Sequence, residues 1–484
     1  MTAKAAQAIV DGLLAIEERV AHLDWRYKGV DVWPLFRNEV RGRLSIELMG
    51  AATEARKPPR LLDLTHGRGL GTVPVANGGC VVVMNDGFSL QRIGDHMVDR
   101  LCTPICLGLS RSGVANVLLD QGLPPTSELA DHVRPIGAMV LIAKAGAVAM
   151  AKVWSPPWVA ERCRQLAEAA TAVGIPSAAI PDARSMSARL GAMLDLAGQF
   201  ERLLRSLRAE RVLQVSYYTV AGFAMNLAAH RAGIDAIDVQ HGVIVEEHTP
   251  YFHWPRLPVG GYPLMPAGYW TWSETDARIV RCGLNLADGA VIVSGHPLVE
   301  AWKAGWLLGT ESARGEMQAL RAARKVPLHA LITLQPGLMG AENLKTALDA
   351  MATNPDVFWW VRVHPASLDK TAAVTALLDQ TSGNYNIVDA TRLPLYALLE
   401  NVDVHLTHSS STVIEAAQFG VPSLLWSTYG EELFMPYVQS GAASVGTSAQ
   451  AVDHFLRTSR TKLIHRSEAV SADRLTEALE TLSK

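Results

Sequence analysis

Four consecutive hydroxyl residues, Ser409, Ser410, Ser411 and Thr412, follow the apolar run VHL and open the segment TVIEAAQF. A helix starting there presents unpaired N–H groups and a partial positive charge, and the hydroxyls add further donors. That chemistry suits an anion, a phosphate above all. The alternative is a plain N-cap, which needs one of the four hydroxyls. Glu415, one turn into the same helix, either accepts ribose hydroxyls or stands as a surface carboxylate. His364, followed by Pro365, comes directly after FWWVRV. A histidine at a strand end can donate to a phosphate near neutral pH, or be fixed by a neighbouring backbone carbonyl. Gln335 and His296 sit in the same way after the runs ALITL and AVIVS.

A second group is acidic. Asp86, in MNDG, ends the run CVVVM, and Asp238 and His241 flank Gln240 in DVQHG. A carboxylate at a strand end can deprotonate a hydroxyl or attack an electrophilic carbon. The alternatives are structural: Asp86 as a turn residue bonding its own backbone, and Asp238 as an acceptor inside a strand. Glu246, Glu247 and His248 lie on the following loop and are also eligible.

Several chemistries are excluded. There is no GxxxxGK[ST], no HExxH and no GxSxG. The run Gly67-Arg68-Gly69-Leu70-Gly71 is not GxGxxG and follows only the weak strand signal LLDL. The chain has 44 Lys plus Arg against 47 Asp plus Glu, a net charge of −3, which argues against nonspecific nucleic-acid binding. Apolar residues make up 49% and charged residues 19%, enough apolar material for large cores. Five cysteines without a CxxC are no disulfide framework, so a reducing cytosol is expected. No targeting segment is visible, because Lys4, Asp11, Glu17 and Glu18 interrupt the N-terminus. The longest apolar stretch, Ile136 to Val153, carries Lys144 near its middle and Lys152 near its end. A central lysine costs about 3 kcal/mol on insertion, so a buried helix is expected and not a membrane span. Attachment to a membrane surface stays open, though no polybasic run supports it.

These residues need elements to hold them. At roughly 150 residues per domain, 484 residues make two large domains or three average ones. Ile9, Leu13, Ile16, Val20 and Leu23 mark one face of an N-terminal helix. Trp25, Tyr27 and Trp33 then read as a packing cap, and Lys57-Pro58-Pro59-Arg60 breaks the pattern. Buried strands are predicted at Cys80–Met84, Val212–Tyr217 and Ile234–Val239, with a helix between the last two closed by Gly233. The segment from Tyr251 to Gly268, rich in proline and glycine, reads as an interdomain linker. Strands and helices alternate beyond it, with strands predicted at 269–273, 290–294, 330–334, 357–363, 386–388, 402–406 and 423–426. The expected fold class is α/β: two facing Rossmann-like domains with parallel sheets and an N-terminal helical extension. The expected divisions are 1–60, 61–255 and 256–484.

The two strand-end elements, Val363-His364-Pro365 and Ser409-Ser410, resemble the nucleotide-binding motifs of bacterial sialyltransferases. They also resemble the related capsule and lipopolysaccharide transferases that use CMP-activated sugar acids such as Kdo. Gln240-His241-Gly242, with Tyr251 downstream, is similar to the capsular polysaccharide biosynthesis proteins of that group. The stretch SSTVIEAAQFGVPSLLW is similar to the C-terminal domain of GT-B glycosyltransferases. The resemblance covers residues 211–440 and implies a GT-B fold. It also implies an acceptor in the N-terminal domain and a nucleotide phosphate held by His364, Ser409 and Ser410. The acidic Asp/Glu-Asp/Glu-Gly motif of the sialyltransferases has its nearest match in Asn85-Asp86-Gly87, which keeps one acid.

The expected function is therefore a surface-polysaccharide glycosyltransferase with a nucleotide-sugar donor, CMP-linked by preference. No separate cofactor is expected. No Asp-x-Asp occurs, so the usual metal–diphosphate clamp is missing. His364 and the Ser409–Thr412 amides would stabilise the departing phosphate. The acceptor would be a glycan or lipid-linked glycan, met in the cytoplasm or at the inner face of the membrane. Trp254, Trp270 and Trp272 stack on sugar rings or simply pack. The alternatives on the same frame are a UDP-sugar 2-epimerase, a CDP-polyol phosphotransferase and a non-catalytic nucleotide-binding relative.

Overall fold

The computed structural model describes residues 3–49, 79–87, 89–93, 96–122, 132–381, 384–462, 475 and 477–479. The Lys57–Arg60 break and the Gly67–Gly71 run lie outside them. The chain forms two compact units. The first comprises Met1–Gln91, Met97–Pro297 and Arg474–Lys484, and the second Arg92–His96 and Leu298–Asp473.

The first unit begins with helices α1 (Ala3–Val20) and α2 (Trp33–Met49), joined through the short strands β1 (Arg26–Tyr27) and β2 (Val30–Asp31). Then come β3 (Cys80–Met84), β4 (Leu90–Ile93), β5 (His96–Asp99), α3 (Cys102–Arg111), β6 (Asn116–Asp120) and β7 (Val133–Pro135). Helices α4 (Gly137–Val153), α5 (Pro157–Ala172) and α6 (Ala183–Ser206) lead to β8 (Ala209–Val215), α7 (Val220–Ala232) and β9 (Asp235–Val239). The last elements are β10 (Gly268–Thr271), α8 (Glu274–Leu284) and β11 (Val291–Val293). One parallel sheet runs in the order β11-β10-β9-β8-β3-β6-β7. The chain starts in the middle at β3, builds β6 and β7 to one side, and then crosses to β8 on the other. The order thus reverses between β3 and β8.

The predicted N-terminal extension is part of this unit's core. Ile9, Leu13 and Ile16 of α1 and Phe36 and Val40 of α2 share one apolar cluster with Val82 and Met84. Trp25 and Trp33 are buried, with ring centroids 4.6 Å apart, as the packing reading expects. The predicted linker is corrected. Arg37 of α2 pairs with Glu17 at 3.1 Å and donates to the carbonyls of Thr249 (2.7 Å) and His253. Its guanidinium lies 4.0 Å over the Trp254 ring. These contacts pin the start of the proline-rich segment as a loop inside the first unit. Beyond it β10 pairs in parallel with β9, and β11 with β10. The division therefore falls after Pro297 and not at 255/256.

The second unit holds α9 (Pro297–Lys303), α10 (Thr310–Ala322), β12 (Leu328–Thr333), α11 (Ala341–Thr353), β13 (Val357–Arg362) and α12 (Thr371–Leu378). It continues with β14 (Tyr385–Asn386), α13 (Val388–Arg392), α14 (Leu395–Asn401), β15 (Val404–Thr407), α15 (Thr412–Gln418) and β16 (Ser423–Leu425). It ends in α16 (Thr428–Leu433), α17 (Met435–Gln439), β17 (Ala443–Val445) and α18 (Ala449–Lys462). Its parallel sheet runs β14-β13-β12-β15-β16-β17, so the order reverses between β12 and β15. Each unit is Rossmann-like, as the alternation of apolar runs with crossover helices requires.

Candidate functional site

In open parallel sheets ligands bind beyond the carboxyl ends of the strands, where the strand order reverses. Each unit has one such point. The sequence candidates fall on both.

In the second unit Thr333 pairs with Arg362 on one side and Thr407 on the other. Gln335, His364 and Ser409 each lie two residues beyond that row. Three adjacent strand ends therefore carry them at one level, with β13 and β15 about 10 Å apart. Gln335 and Ser409 bond each other: the Gln335 Nε2 donates to Ser409 Oγ at 2.8 Å, and the Ser409 amide returns a bond to Gln335 Oε1 at 3.2 Å. Ser409 Oγ also meets His408 Nδ1 at 3.0 Å and is buried. These two side chains clamp β12 to β15 and shape the mouth. Ser410, half-buried, and Ser411, exposed, remain at the opening. Ser410 Oγ accepts from the Thr412 amide at 3.3 Å and meets Thr412 Oγ1 at 3.0 Å.

The helix behind them, α15, has only seven residues, so its dipole is short. Donors here come from hydroxyls and local amides more than from a helix end. Glu415 is buried on α15 and is not a surface carboxylate. His364 and Pro365 are exposed. Desolvation by nearby protein, then the Arg362 charge, lower the His364 imidazole from the ordinary histidine value.

In the first unit Met84 pairs with Gln214, and Gln214 with Asp238. Asp86, Ser216 and Gln240 lie two residues beyond that row. Asp86 does bond its own turn, accepting the Ser89 amide at 3.2 Å, and it also accepts Ser216 Oγ at 3.4 Å. It stays half-exposed at the reversal point. Ser216 holds a left-handed conformation (φ 61°), which turns the chain sharply into α7. Gly222 allows that turn: a Cβ there would lie 2.5 Å from the Tyr217 carbonyl oxygen.

His241 Nε2 meets the Tyr218 hydroxyl at 2.9 Å, and Nδ1 has no hydrogen-bond partner among the described residues. Burial lowers its pKa to about 4; Asp86 opposes that shift and Arg100 adds to it. The ring is therefore neutral at pH 7, while burial pushes the Tyr218 hydroxyl well above its ordinary value and keeps its proton on.

Two candidates are corrected here. Asp238 is 1% exposed; its two oxygens accept the Tyr251 hydroxyl (2.6 Å) and the Tyr217 amide (2.9 Å). It is the structural acceptor of the two readings, raised to about 7 by burial. His296 belongs to the first unit, after β11, and is buried with its ring 4.3 Å from Trp272. Burial, then Arg100, lower it to about 3. It is thus grouped with Asp86, His241 and Arg100, not with the hydroxyl run of the second unit. Trp270 and Trp272 are buried and pack.

The residues that sequence reasoning missed are Tyr218, Arg100 and Ser216. Arg100 Nη2 donates to the His241 carbonyl at 2.9 Å, a contact spanning 141 positions. Only the turn pattern SYYT before α7 hinted at the other two. Among the described residues no group of three or more His, Cys, Asp or Glu is placed to hold a metal ion.

No family model matches the chain, and no curated protein matches it. Solved structures do. A UDP-N-acetylglucosamine 2-epimerase aligns with a TM-score of 0.50 at 12% identity, over 84% of this chain and 96% of that one. The UDP-GlcNAc 2-epimerase of Methanocaldococcus jannaschii gives 0.49 at 12%, over 84% and 99%. The glycotransferase of kitacinnamycin gives 0.45 at 13%, over 84% and 96%. At such identity the first likeness shows the fold: α/β, GT-B-like, with two Rossmann-like units.

Proposed function

We propose that the chain is a nucleotide-sugar enzyme whose second unit holds the nucleotide phosphate and whose first unit carries the acid–base chemistry. The observation that carries this reading is the placement of two chemically different strand-end groups, each at the reversal point of its own sheet. His364, Ser410, Ser411 and Thr412 supply donors to a phosphate and stabilise charge as it leaves. Asp86 is the base for an acceptor hydroxyl, with neutral His241 beside it and Arg100 near both. We assign glycosyl transfer because it needs one base, and Asp86 is the half-exposed carboxylate at that reversal point. One histidine and one short hydroxyl run suit a single phosphate, which supports a CMP-linked donor.

The fold likeness to a UDP-N-acetylglucosamine 2-epimerase supports a second reading, epimerisation of a UDP-sugar. Inversion at a C–H centre requires proton removal on one face and delivery on the other. His241 would then act opposite Asp86.

Thermal shift with CMP, UDP, ADP and CDP-glycerol separates the readings. A nucleotide at about 100-fold its Kd adds roughly 2.7 kcal/mol of stability. The transferase reading expects CMP to act and His364→Ala to abolish the shift. Selective stabilisation by UDP, with turnover of UDP-GlcNAc in the absence of any acceptor, assigns the epimerase instead. No response to any of the four removes both.

A further inference from the structure

Helix α4 meets the expectation of a buried helix over 136–153 only in part. Val140, Ala143 and Ala151 are buried, while Ile142, Met150 and Val153 are exposed. Among the described residues no single helix is long and apolar enough to cross a membrane. Roughly opposite those exposed residues, Lys144, Val148, Ala151 and Lys152 recur at i, i+4, i+7 and i+8 and so share one stripe. That stripe is one wall of a cavity of about 660 Å³. Helices α2 and α6 supply two more walls, and the turn into α7 a fourth.

Five cations line the cavity: Arg41, Lys144, Lys152, Arg184 and Arg189. The carboxylate in the lining, Glu39, is taken by Arg189 at 2.7 Å. The other four cations make no ion pair among the described residues. In a chain of net charge −3 this concentration is local. Burial, and then Arg189, lower Lys144 from its ordinary value, and burial lowers Arg41 as well. Protein is thus packed against these charges without an ion-pair partner for them. The first turn of α7 adds donors of its own. Thr219 accepts the Gly222 amide at 3.0 Å, while the first amides of this 13-residue helix have no partner inside it. Its positive end borders the same space through Thr219 and Val220.

One turn, 216–220, joins this cavity to the acid–base group. Ser216 Oγ donates to Asp86 at 3.4 Å, and the Tyr218 hydroxyl meets His241 Nε2 at 2.9 Å. Tyr218, Thr219 and Val220 then wall the cavity. We propose that the cavity holds the acceptor by a phosphate ester, with the phosphate among the four unpaired cations and the acceptor hydroxyl past Tyr218 toward Asp86. Four such cations exceed what a single carboxylate neutralises, and arginine forks match phosphate oxygens two at a time. Val148 and Ala151 leave an apolar wall for the carbon skeleton. The acceptor role rests on the nucleotide-sugar reading, whereas the phosphate chemistry of the cavity stands without it.

The test is calorimetric titration of the full chain with glucose 6-phosphate, with glucose as the neutral control. Beside it, co-sedimentation with phosphatidylcholine vesicles containing phosphatidic acid asks whether the ester belongs to a lipid. Binding is expected for a phosphate ester and not for glucose. Lys144→Gln with Arg184→Gln should weaken it about 100-fold, each charge-assisted hydrogen bond being worth about tenfold or more. Both side chains are exposed, so an unchanged melting temperature confirms that the variant folds. His364→Ala, which removes a donor from the second unit, should leave this binding intact. Glucose 6-phosphate should also move the His241 ring resonance, identified by its loss in His241→Gln. Absence of binding to both esters overturns the proposal, as does equal binding of glucose. Loss in His364→Ala with none in the double variant places the phosphate in the second unit and overturns it too. Binding to the vesicles alone, lost in the double variant, makes the ester a lipid's and keeps the site. Binding with an unmoved His241 resonance, or with no response to any nucleotide, keeps the phosphate site and overturns the acceptor role.

Discussion

The two strand-end groups are built on the same plan from opposite materials. In each unit three residues lie two positions past a common register row, beside a reversal of strand order. In the first unit that level holds Asp86, Ser216 and Gln240, one half-exposed acid among desolvated neighbours. Burial raises Asp99 and Asp238 to about 7 and lowers His241 to about 4. In the second it is hydroxyl and amide, with an exposed histidine and no carboxylate in the row. Desolvation tunes proton affinity, so the first group suits proton transfer. Neutral donors at an open mouth suit a phosphate, so the second suits binding. Losses in the first unit should therefore fall on turnover, and losses in the second on affinity.

The largest expected effect comes from Asp86→Asn. Turnover should drop by about 10²- to 10⁴-fold, the usual worth of a positioned base, with nucleotide affinity unchanged. Steady-state kinetics beside a binding isotherm reads both, and a variant that keeps full turnover breaks the comparison. Next is His364→Ala. Loss of a hydrogen bond to a charged phosphate costs about 1.5–3 kcal/mol, so nucleotide affinity should fall about 10- to 100-fold. A fall in turnover at saturating nucleotide, with affinity intact, would move His364 to the chemical step.

Gly222→Ala tests the turn that places Ser216 and Tyr218. A methyl 2.5 Å from the Tyr217 carbonyl forces the backbone to shift, so stability should fall by about 1–3 kcal/mol in denaturant melts. Unchanged stability would mean that the turn is not tight. The smallest effect is in pH. Asp99 and Asp238 hold protons in the folded chain that the unfolded chain releases near pH 4. Their contribution to stability is full below that value and is lost as pH rises through about 7. The melting temperature should therefore decline between about pH 4 and about pH 7. Asp99→Asn should flatten the decline, and a slope left unchanged by it would remove Asp99 from the account.

Much of the fold is legible in sequence, for definite reasons. Strands buried on both faces read as continuous apolar runs, and Cys80–Met84 and Ser423–Leu425 stand where CVVVM and SLLW place them. Gly233, with φ 70°, closes α7 as a left-handed cap. The residues just past the strands were found because parallel sheets put their ligands there. Where a sheet ends was not legible. Pairing of β10 onto β9, and of β11 onto β10, leaves no local trace, and a proline-rich loop looks like a linker until Arg37 is seen to hold it. The run at 386–388 mixes a two-residue strand with the first turn of α13, since short apolar segments fit either period. A cavity of the first unit lined by Arg41, Lys144, Arg184 and Tyr218 is invisible in sequence, because no local pattern connects those residues.

The most direct test of the division of labour is one nucleotide titration on three proteins: the native chain, Asp86→Asn and His364→Ala. Equal affinity is expected for the native chain and Asp86→Asn, and a loss of about tenfold or more for His364→Ala. Loss of binding in Asp86→Asn with His364→Ala unaffected would contradict that division.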